Sequence, residues 1–219
     1  MTRPLEAELR AGLETMALSL EDAQVTALLD YIALIQKWTK VYNLTAVREP
    51  RDMLTHHVLD SLAVVRPLRQ QLSVIGVGPA VRVLDVGAGA GLPGVVLAIC
   101  CPEMTVHCVD TVAKKAAFVQ QVSVSLKRAN LRGIHARVES LTEPYDVVCS
   151  RAFASLADFT EWSAVALGPV GVWMAMKGKR PDAELAALGS GVAVFHVEPL
   201  DVPGLDAERC LVWMRRGVT

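Results

Sequence analysis

Residues 83 to 97 read VLDVGAGAGLPGVVL. An acid, Asp85, closes an apolar run. Gly87, Gly89, Gly91 and Gly94 follow, and an apolar run resumes. Glycines at this density let a backbone approach a ligand closely. Three ligands compete for such a loop. A phosphate-binding P-loop needs Gly-Lys-Ser/Thr ahead of its helix, and Gly94-Val95-Val96 supplies neither the lysine nor the hydroxyl. A dinucleotide loop needs Gly-x-Gly-x-x-Gly, which Gly89, Gly91 and Gly94 match, but a lone match is weak. The third ligand is S-adenosylmethionine, which has no phosphate and presents an ammonium and a sulfonium. Asp85 favours it. At ~5 Å and low effective dielectric a carboxylate repels a pyrophosphate by a few kcal/mol, whereas it suits two cations, directly or through water. The alternative role for Asp85 is to brace the loop by accepting backbone N–H groups. Pro93 also removes a donor that a pyrophosphate would use.

Asp110 follows MTVHCV, 21 residues beyond Gly89. A carboxylate there accepts from both ribose hydroxyls or caps the helix that follows. Val138 and Glu139 close the next apolar run, where backbone groups can read an adenine edge. The stretch VVCSRAFASL, residues 147–156, faces the transferred group in such a fold. It has no Asn/Asp-Pro-Pro-Tyr motif for an exocyclic amine. Cys149 sits within the run without a preceding proline, which argues against a covalent nucleophile. Arg151 remains, aimed at the site with Ser150 and Ser155. An arginine there binds phosphate, a carboxylate or a purine edge, and it implies an acceptor that needs no strong base.

The elements that must position these residues are legible from periodicity. Up to residue 78 the chain reads helical: one helix over 4–18, a second after an N-cap signature at Ser19 with Glu21 and Asp22, and a third from Pro50 to near Pro67. Gly76, Gly78 and Pro79 then punctuate. From Val81 short β-branched runs alternate with helical stretches. Strands are predicted at 81–86, 104–109, 133–138, 145–150, 170–176, 192–198 and 209–215, and helices at 92–101, 112–128, 155–166 and 181–189. This alternation implies right-handed βαβ units and a mostly parallel sheet. The polar, Pro/Gly-rich link PLDVPGLDAE predicts an antiparallel pair at the end. Seven strands with one late antiparallel member is the α/β, Rossmann-like architecture of class I S-adenosylmethionine-dependent methyltransferases. The division is residues 1–78, a helical extension packed on the core, and 79–219, the ligand-binding domain. In an open α/β sheet the ligand lies at the carboxyl ends of the strands, where the glycine loop sits.

Composition bounds the rest. The chain has 219 residues, 52% apolar, enough for one substantial core. The first residues lack a signal-peptide core, and the uncharged stretch 162–176 is too short and interrupted to span a bilayer. A soluble cytoplasmic protein is expected. Five cysteines without a Cys-x-x-Cys pair or zinc-finger histidine spacing read as buried thiols in a reducing compartment, with no metal site. Net charge is −1, yet no acid lies between Asp110 and Glu139, an interval holding Lys114, Lys115, Lys127, Arg128, Arg132 and Arg137. A second basic cluster runs from Lys37 to Arg69, diluted by Glu49, Asp52 and Asp60.

The segments KWTKVYNLTAVREPRDMLTHHVLDSL, VLDVGAGAGLPGVVLAI, RVES, SRAFASL, MKGK and ERCLV occur in this order. Together, over roughly residues 28 to 215, they resemble the RsmG family of 16S ribosomal RNA guanine-N7 methyltransferases, also called glucose-inhibited division protein B. The resemblance implies S-adenosylmethionine contacts at Gly87, Leu92, Val138, Glu139 and Arg151. It implies a target guanine in the decoding-region hairpin (530 loop) of the 16S rRNA or small ribosomal subunit. Guanine N7 already carries an in-plane lone pair, so no catalytic base is expected. The family reading recruits the Lys37–Arg69 cluster to RNA, with Arg48, His57 and Lys177 as named contacts beside Arg151. A monomer working without metal or membrane is expected. Thr39, Lys115 and Cys210 depart from residues frequent in the family. Two other classes compete. A nicotinamide oxidoreductase would use the same glycines and Asp110 but lacks a Tyr-x-x-x-Lys. A non-catalytic RNA-binding module would have no reason to keep Asp85, the glycine loop and Arg151.

Overall fold

The computed structural model describes residues 2–76, 78 and 80–217. Pro79 lies outside the described residues, and so does the start of the expected second domain at 79. Seven strands form one sheet in the order β3-β2-β1-β4-β5-β7-β6. They are β1 Arg82–Val86, β2 Thr105–Asp110, β3 Leu131–His135, β4 Tyr145–Arg151, β5 Leu167–Lys177, β6 Val192–Pro199 and β7 Cys210–Arg216. The first five are parallel; β7 runs antiparallel to both β5 and β6. The late antiparallel pair is therefore as expected, and the fold is that of class I methyltransferases. Strand β1 is buried along almost its whole length, as a central parallel strand covered on both faces must be.

Helices α1 Thr2–Thr15, α2 Asp22–Tyr42, α3 Pro50–Met53, α4 Asp60–Leu62 and α5 Val65–Ile75 precede the sheet; α6 Gly94–Cys100, α7 Ala113–Ser125, α8 Leu156–Trp162 and α9 Asp182–Ala186 connect its strands. The N-terminal helices do not form a body of their own. Leu9, Leu28, Ile35 and Leu54 share one apolar core with Val83 of β1, Val95 of α6 and Phe118 of α7. The opposite face has a second core, where Leu156 and Phe159 of α8 meet Val148 and Trp173.

Several boundaries differ from the sequence reading. Glu21, not Ser19, caps α2: Gln24 accepts the Glu21 N–H at 3.0 Å. The Gln24 amide in turn donates to the Ile99 and Cys100 carbonyls, so one side chain joins the start of α2 to the end of α6. The third helix is not continuous. A π-helical turn, Leu54–Leu59, separates α3 from α4, and a further helix, α5, takes Pro67 into its first turns. Proline tolerates that position because the first N–H groups have no helical partner. Strand β3 stops at His135, and Val138–Ser140 form a 3-10 turn instead of its end. The Gly133 backbone allows close packing of β3 on α7, where a Cβ would meet the Ala116 carbonyl.

Candidate functional site

Two clefts adjoin at the carboxyl ends of the strands and share Gly87 and Ala152. The first, about 430 Å³, lies under the N-terminal helices. It is lined by Leu44, Thr45, His57 and Asp60, by the loop from Gly87 to Leu92, and by Arg151, Met176, Lys177 and Arg209. The second, about 480 Å³, lies over β2 and is lined by Asp110, Lys115, Val138, Glu139, Phe153 and Trp162.

The glycine loop is held mostly by its own donors. The N–H groups of Gly87 and Ala88 go to the Val109 carbonyl, and those of Gly91 and Leu92 to the Ala88 carbonyl. Asp110 accepts from Gly89 at 3.0 Å and Asp85 from Gly94 at 2.8 Å. A pyrophosphate needs free backbone donors converging on it; this loop has already committed those of Gly87, Ala88, Gly89, Gly91, Leu92 and Gly94. Gly87 has φ +65, and a Cβ there would run into the Phe153 ring. Glycine at 87 therefore lets that ring close on the backbone where the two clefts meet. Tyr31 of α2 braces the loop from behind, donating to the Ala90 carbonyl at 2.6 Å.

Asp85 takes the bracing role. It is fully buried, lines neither cleft, and a Cβ on Gly94 would sit 2.9 Å from its Oδ2. Desolvation pushes its carboxyl up to about 7, against the lowering effect of the Gly94 N–H. Its Oδ1 has no hydrogen-bond partner. Direct contact between Asp85 and a bound cation is therefore not the geometry of this site; any attraction acts through the loop. Asp110 does line the second cleft. Oδ1 accepts the Val112 N–H at 2.8 Å and Lys115 lies 3.8 Å from Oδ2, so Asp110 both fastens the turn into α7 and presents a carboxylate to the cleft. Val138 and Glu139 reach that cleft from the 3-10 turn, and Glu139 pairs with Arg137 at 2.9 Å.

Arg151 closes β4 and lines the first cleft. It donates to the His56 carbonyl and to Asp60 Oδ2, both at 2.8 Å. Arg209, just ahead of β7, donates to Asp60 Oδ1 at 2.7 Å. The Asp60 side chain is 2% exposed. In the sequence this acid merely diluted a basic cluster; in the fold it clamps two arginines at one cleft. The motifs HHVLDSL and ERCLV contain the residues, but nothing in their spacing pairs them.

The other RNA-contact expectations fare differently. His57 lines the first cleft, with Nε2 2.9 Å from Thr45 Oγ1. Burial, helped by the charge of Arg151, pushes its imidazole down to about 4, so it is neutral near pH 7 and is not a cation for phosphate. Its neighbour His56 is exposed. Arg48 lines neither cleft; it holds the end of α2, donating to the Thr39 carbonyl and Asn43 Oδ1. Lys177 does line the first cleft, but its ammonium is shared by Glu184 at 2.8 Å and the Ala154 carbonyl at 3.1 Å. It fastens the loop after β4. All five cysteines are buried, and Cys149 is pushed well above its ordinary value by desolvation. Phe153 and Trp162, in edge contact at 5.8 Å, were missed by sequence reasoning, because an isolated aromatic carries no positional signal.

Among solved structures, magnesium protoporphyrin IX methyltransferase from Synechocystis PCC 6803 superposes with a TM-score of 0.58 over 85% of this chain and 97% of its own, at 14% identity. TrmN from Thermus thermophilus gives 0.55 over 74% and 53%, at 18% identity. These likenesses concern the fold. Sequence likeness goes further. The ribosomal RNA small subunit methyltransferase G of Albidiferax ferrireducens is 66% identical over 98% of both chains. That of a Polaromonas species is 66% identical over 96% of this chain and 93% of its own. The family model described as rRNA small subunit methyltransferase G matches residues 24–212. With most of the glycine loop's donors bonded internally, an arginine-lined cleft beside it, and a family match over residues 24–212, the chain belongs to the rRNA small subunit methyltransferase G family.

Proposed function

We propose that this protein transfers a methyl group from S-adenosylmethionine to N7 of a guanine in the decoding-region hairpin (530 loop) of 16S rRNA. The observation that carries the reading is the pair of adjoining clefts at Gly87, one beside a carboxylate and aromatics, the other beside two clamped arginines. S-Adenosylmethionine, when bound, supplies an electrophilic methyl group on a sulfonium.

The residues of the second cleft suit its adenosine half. Asp110 keeps carboxylate lone pairs for ribose hydroxyls, while Val138, Phe153 and Trp162 offer apolar and aromatic surface for adenine. Gly87 lies where the clefts meet and Leu92 lines the first beside it, where the amino-acid half would lie. The first cleft would then take the guanine. Arg151 and Arg209, held by Asp60, face that base or its phosphate. N7 has no proton to lose, so these residues need not remove one. Their work is to fix the base on the methyl axis and favour the phosphate nearby. The neutral His57 suits that role as a polar wall. The second reading, a nicotinamide oxidoreductase, is disfavoured by the internally bonded glycine loop.

The test is methyl transfer from labelled S-adenosylmethionine to small-subunit RNA lacking its N7 methylation, offered free and as assembled particles. Borohydride–aniline cleavage then locates 7-methylguanine. A single cut in the decoding hairpin is expected. Label without a cut would reject the N7 assignment, and no label on any RNA would move the acceptor to another molecule.

A further inference from the structure

Helix α2 begins beside the far end of α6, at the Gln24 contact with Ile99 and Cys100, and passes the glycine loop at Tyr31. Helix α6 runs from that loop to Cys100, so α2 climbs antiparallel to it, toward the carboxyl ends of the strands. Tyr42 lies eleven residues beyond Tyr31 on the same helix, a further rise of about 16 Å. Ile35, Trp38 and Tyr42 recur at helical spacing along the core-facing stripe. Ile35 is buried, and Trp38 packs edge-on against Phe118 of α7 at 5.2 Å. Tyr42, 4.9 Å from the Trp38 ring, is 44% exposed. The stripe has run past the core, and its last ring, packed along Trp38, is left half exposed.

The turn that follows this ring is fixed and leads into the first cleft. Asn43 turns the chain at φ 50, Arg48 ties that turn to Thr39 and Asn43, and Leu44 and Thr45 then line the cleft. Three residues span at most about 10 Å. The Tyr42 backbone thus lies within that distance of the cleft wall, within reach of a neighbour of whatever enters the cleft. A cation shares this corner. Helix α7 starts at the carboxyl end of β2 and runs down past α2. Lys114, one turn before Phe118, and Tyr42, one turn after Trp38, consequently lie on the same side of the crossing. Lys114 is exposed and forms no ion pair among the described residues.

We propose that Tyr42 is a stacking platform for an unpaired RNA base beside the target nucleotide, with Lys114 on the adjoining phosphate. This rests on the RNA-methylation reading above. A flat exposed ring next to a cation is the combination that holds single-stranded nucleotides. Val41 is 68% exposed beside it, but Lys40 and Asn43 in the same turn and Lys114 across the crossing make the corner polar and cationic, which suits RNA better than an apolar protein segment. A base taken into the first cleft must leave its stack, and the platform offers its neighbour a new one.

The experiment is steady-state methylation of the unmethylated decoding hairpin by wild type, Tyr42→Ala, Tyr42→Phe and Lys114→Gln. S-adenosylmethionine affinity and melting are measured in parallel. Tyr42→Ala should raise the KM for RNA about 5- to 150-fold, the range of one lost base stack, with kcat and cofactor affinity kept. Tyr42→Phe should restore KM, and Lys114→Gln should lower the salt slope by about one. An unchanged KM in Tyr42→Ala, or a Tyr42→Phe protein as weak as it, overturns the proposal. Photocrosslinking of wild type to hairpins carrying 5-iodouridine beside the target is independent of variant folding and of turnover. An adduct at Tyr42 is expected, and none at any flanking position would overturn the platform. An adduct in a protein that methylates no RNA would keep the platform and reject the methylation reading.

Discussion

Asp85 gives this protein an unusual pH dependence. The carboxyl is fully buried, and its folded value is about 7 against 3.8 for the free group. Desolvation is the largest cause, Asp110 adds to it, and the Gly94 N–H and Arg151 oppose it. A raised carboxyl value means that the folded state holds a proton which the unfolded state has released. Stability from this group is therefore whole below about pH 4, falls through the window from 3.8 to about 7, and stays low above it. Three units at about 1.4 kcal/mol each amount to about 4 kcal/mol. Asn at position 85 keeps the shape and an acceptor for Gly94 but cannot ionise. The assay is melting of wild type and Asp85→Asn in matched buffers from acid to mild alkali. Relative to wild type, Asp85→Asn should gain roughly 8–16 °C between about pH 4 and pH 8, at 2–4 °C per kcal/mol for a chain of this size. The sign at either end depends on how well the amide fits; the change across the window does not. A melting difference that stays constant across the window would refute the assignment of a neutral, desolvated carboxyl to Asp85.

His57 should show the opposite sign. Its folded value is about 4 against 6.5, so the stability it contributes is lost as pH falls from 6.5 toward 4, and a His57→Gln protein should lack that acid-side loss in melting. RNA affinity should show no step from His57 between about pH 5 and 8, the range in which an ordinary histidine titrates; a step removed by His57→Gln would overturn its neutral state. Asp60→Asn strands two guanidinium groups beside a lost buried charge. It should cost about 3–5 kcal/mol, read as a melting drop of roughly 6–20 °C, together with loss of methylation; near-wild-type melting would show the clamp to be unimportant. Arg151→Lys keeps a charge for Asp60 but not the planar fork. Methylation should fall while the protein stays folded, and full activity would remove Arg151 from the site. Cys149→Ala should methylate normally, because the thiol is buried in β4; loss of turnover with an intact melting curve would revive a covalent route.

Local pattern was enough for the sheet. Period-two and near-continuous apolar runs placed all seven strands, because each strand buries its own side chains whatever its neighbours do. It was also enough for the glycine loop, whose conformation depends on residues a few positions apart, and for Asp110, which fastens a turn only two residues away. Pattern was weaker where a helix departs from regularity. The π turn at Leu54–Leu59 and the separate helix α5 leave no mark in the apolar spacing that a window of sequence reports.

The site itself divides the same way. The sequence by itself determined that an α/β fold would present Asp85, the glycines, Asp110 and Arg151 at the carboxyl ends of its parallel strands, since the position of each strand-to-helix loop follows from chain connectivity. Tertiary structure alone decided what those groups do. Asp85 turned inward because Gly94 leaves room for it; Asp60 and Arg209, 149 positions apart, met at one carboxylate; and His57 and Lys177 lost their use as free cations to burial and to Glu184. Charge and desolvation act through space, and the chain's order carries no record of which distant groups will share the same few ångströms.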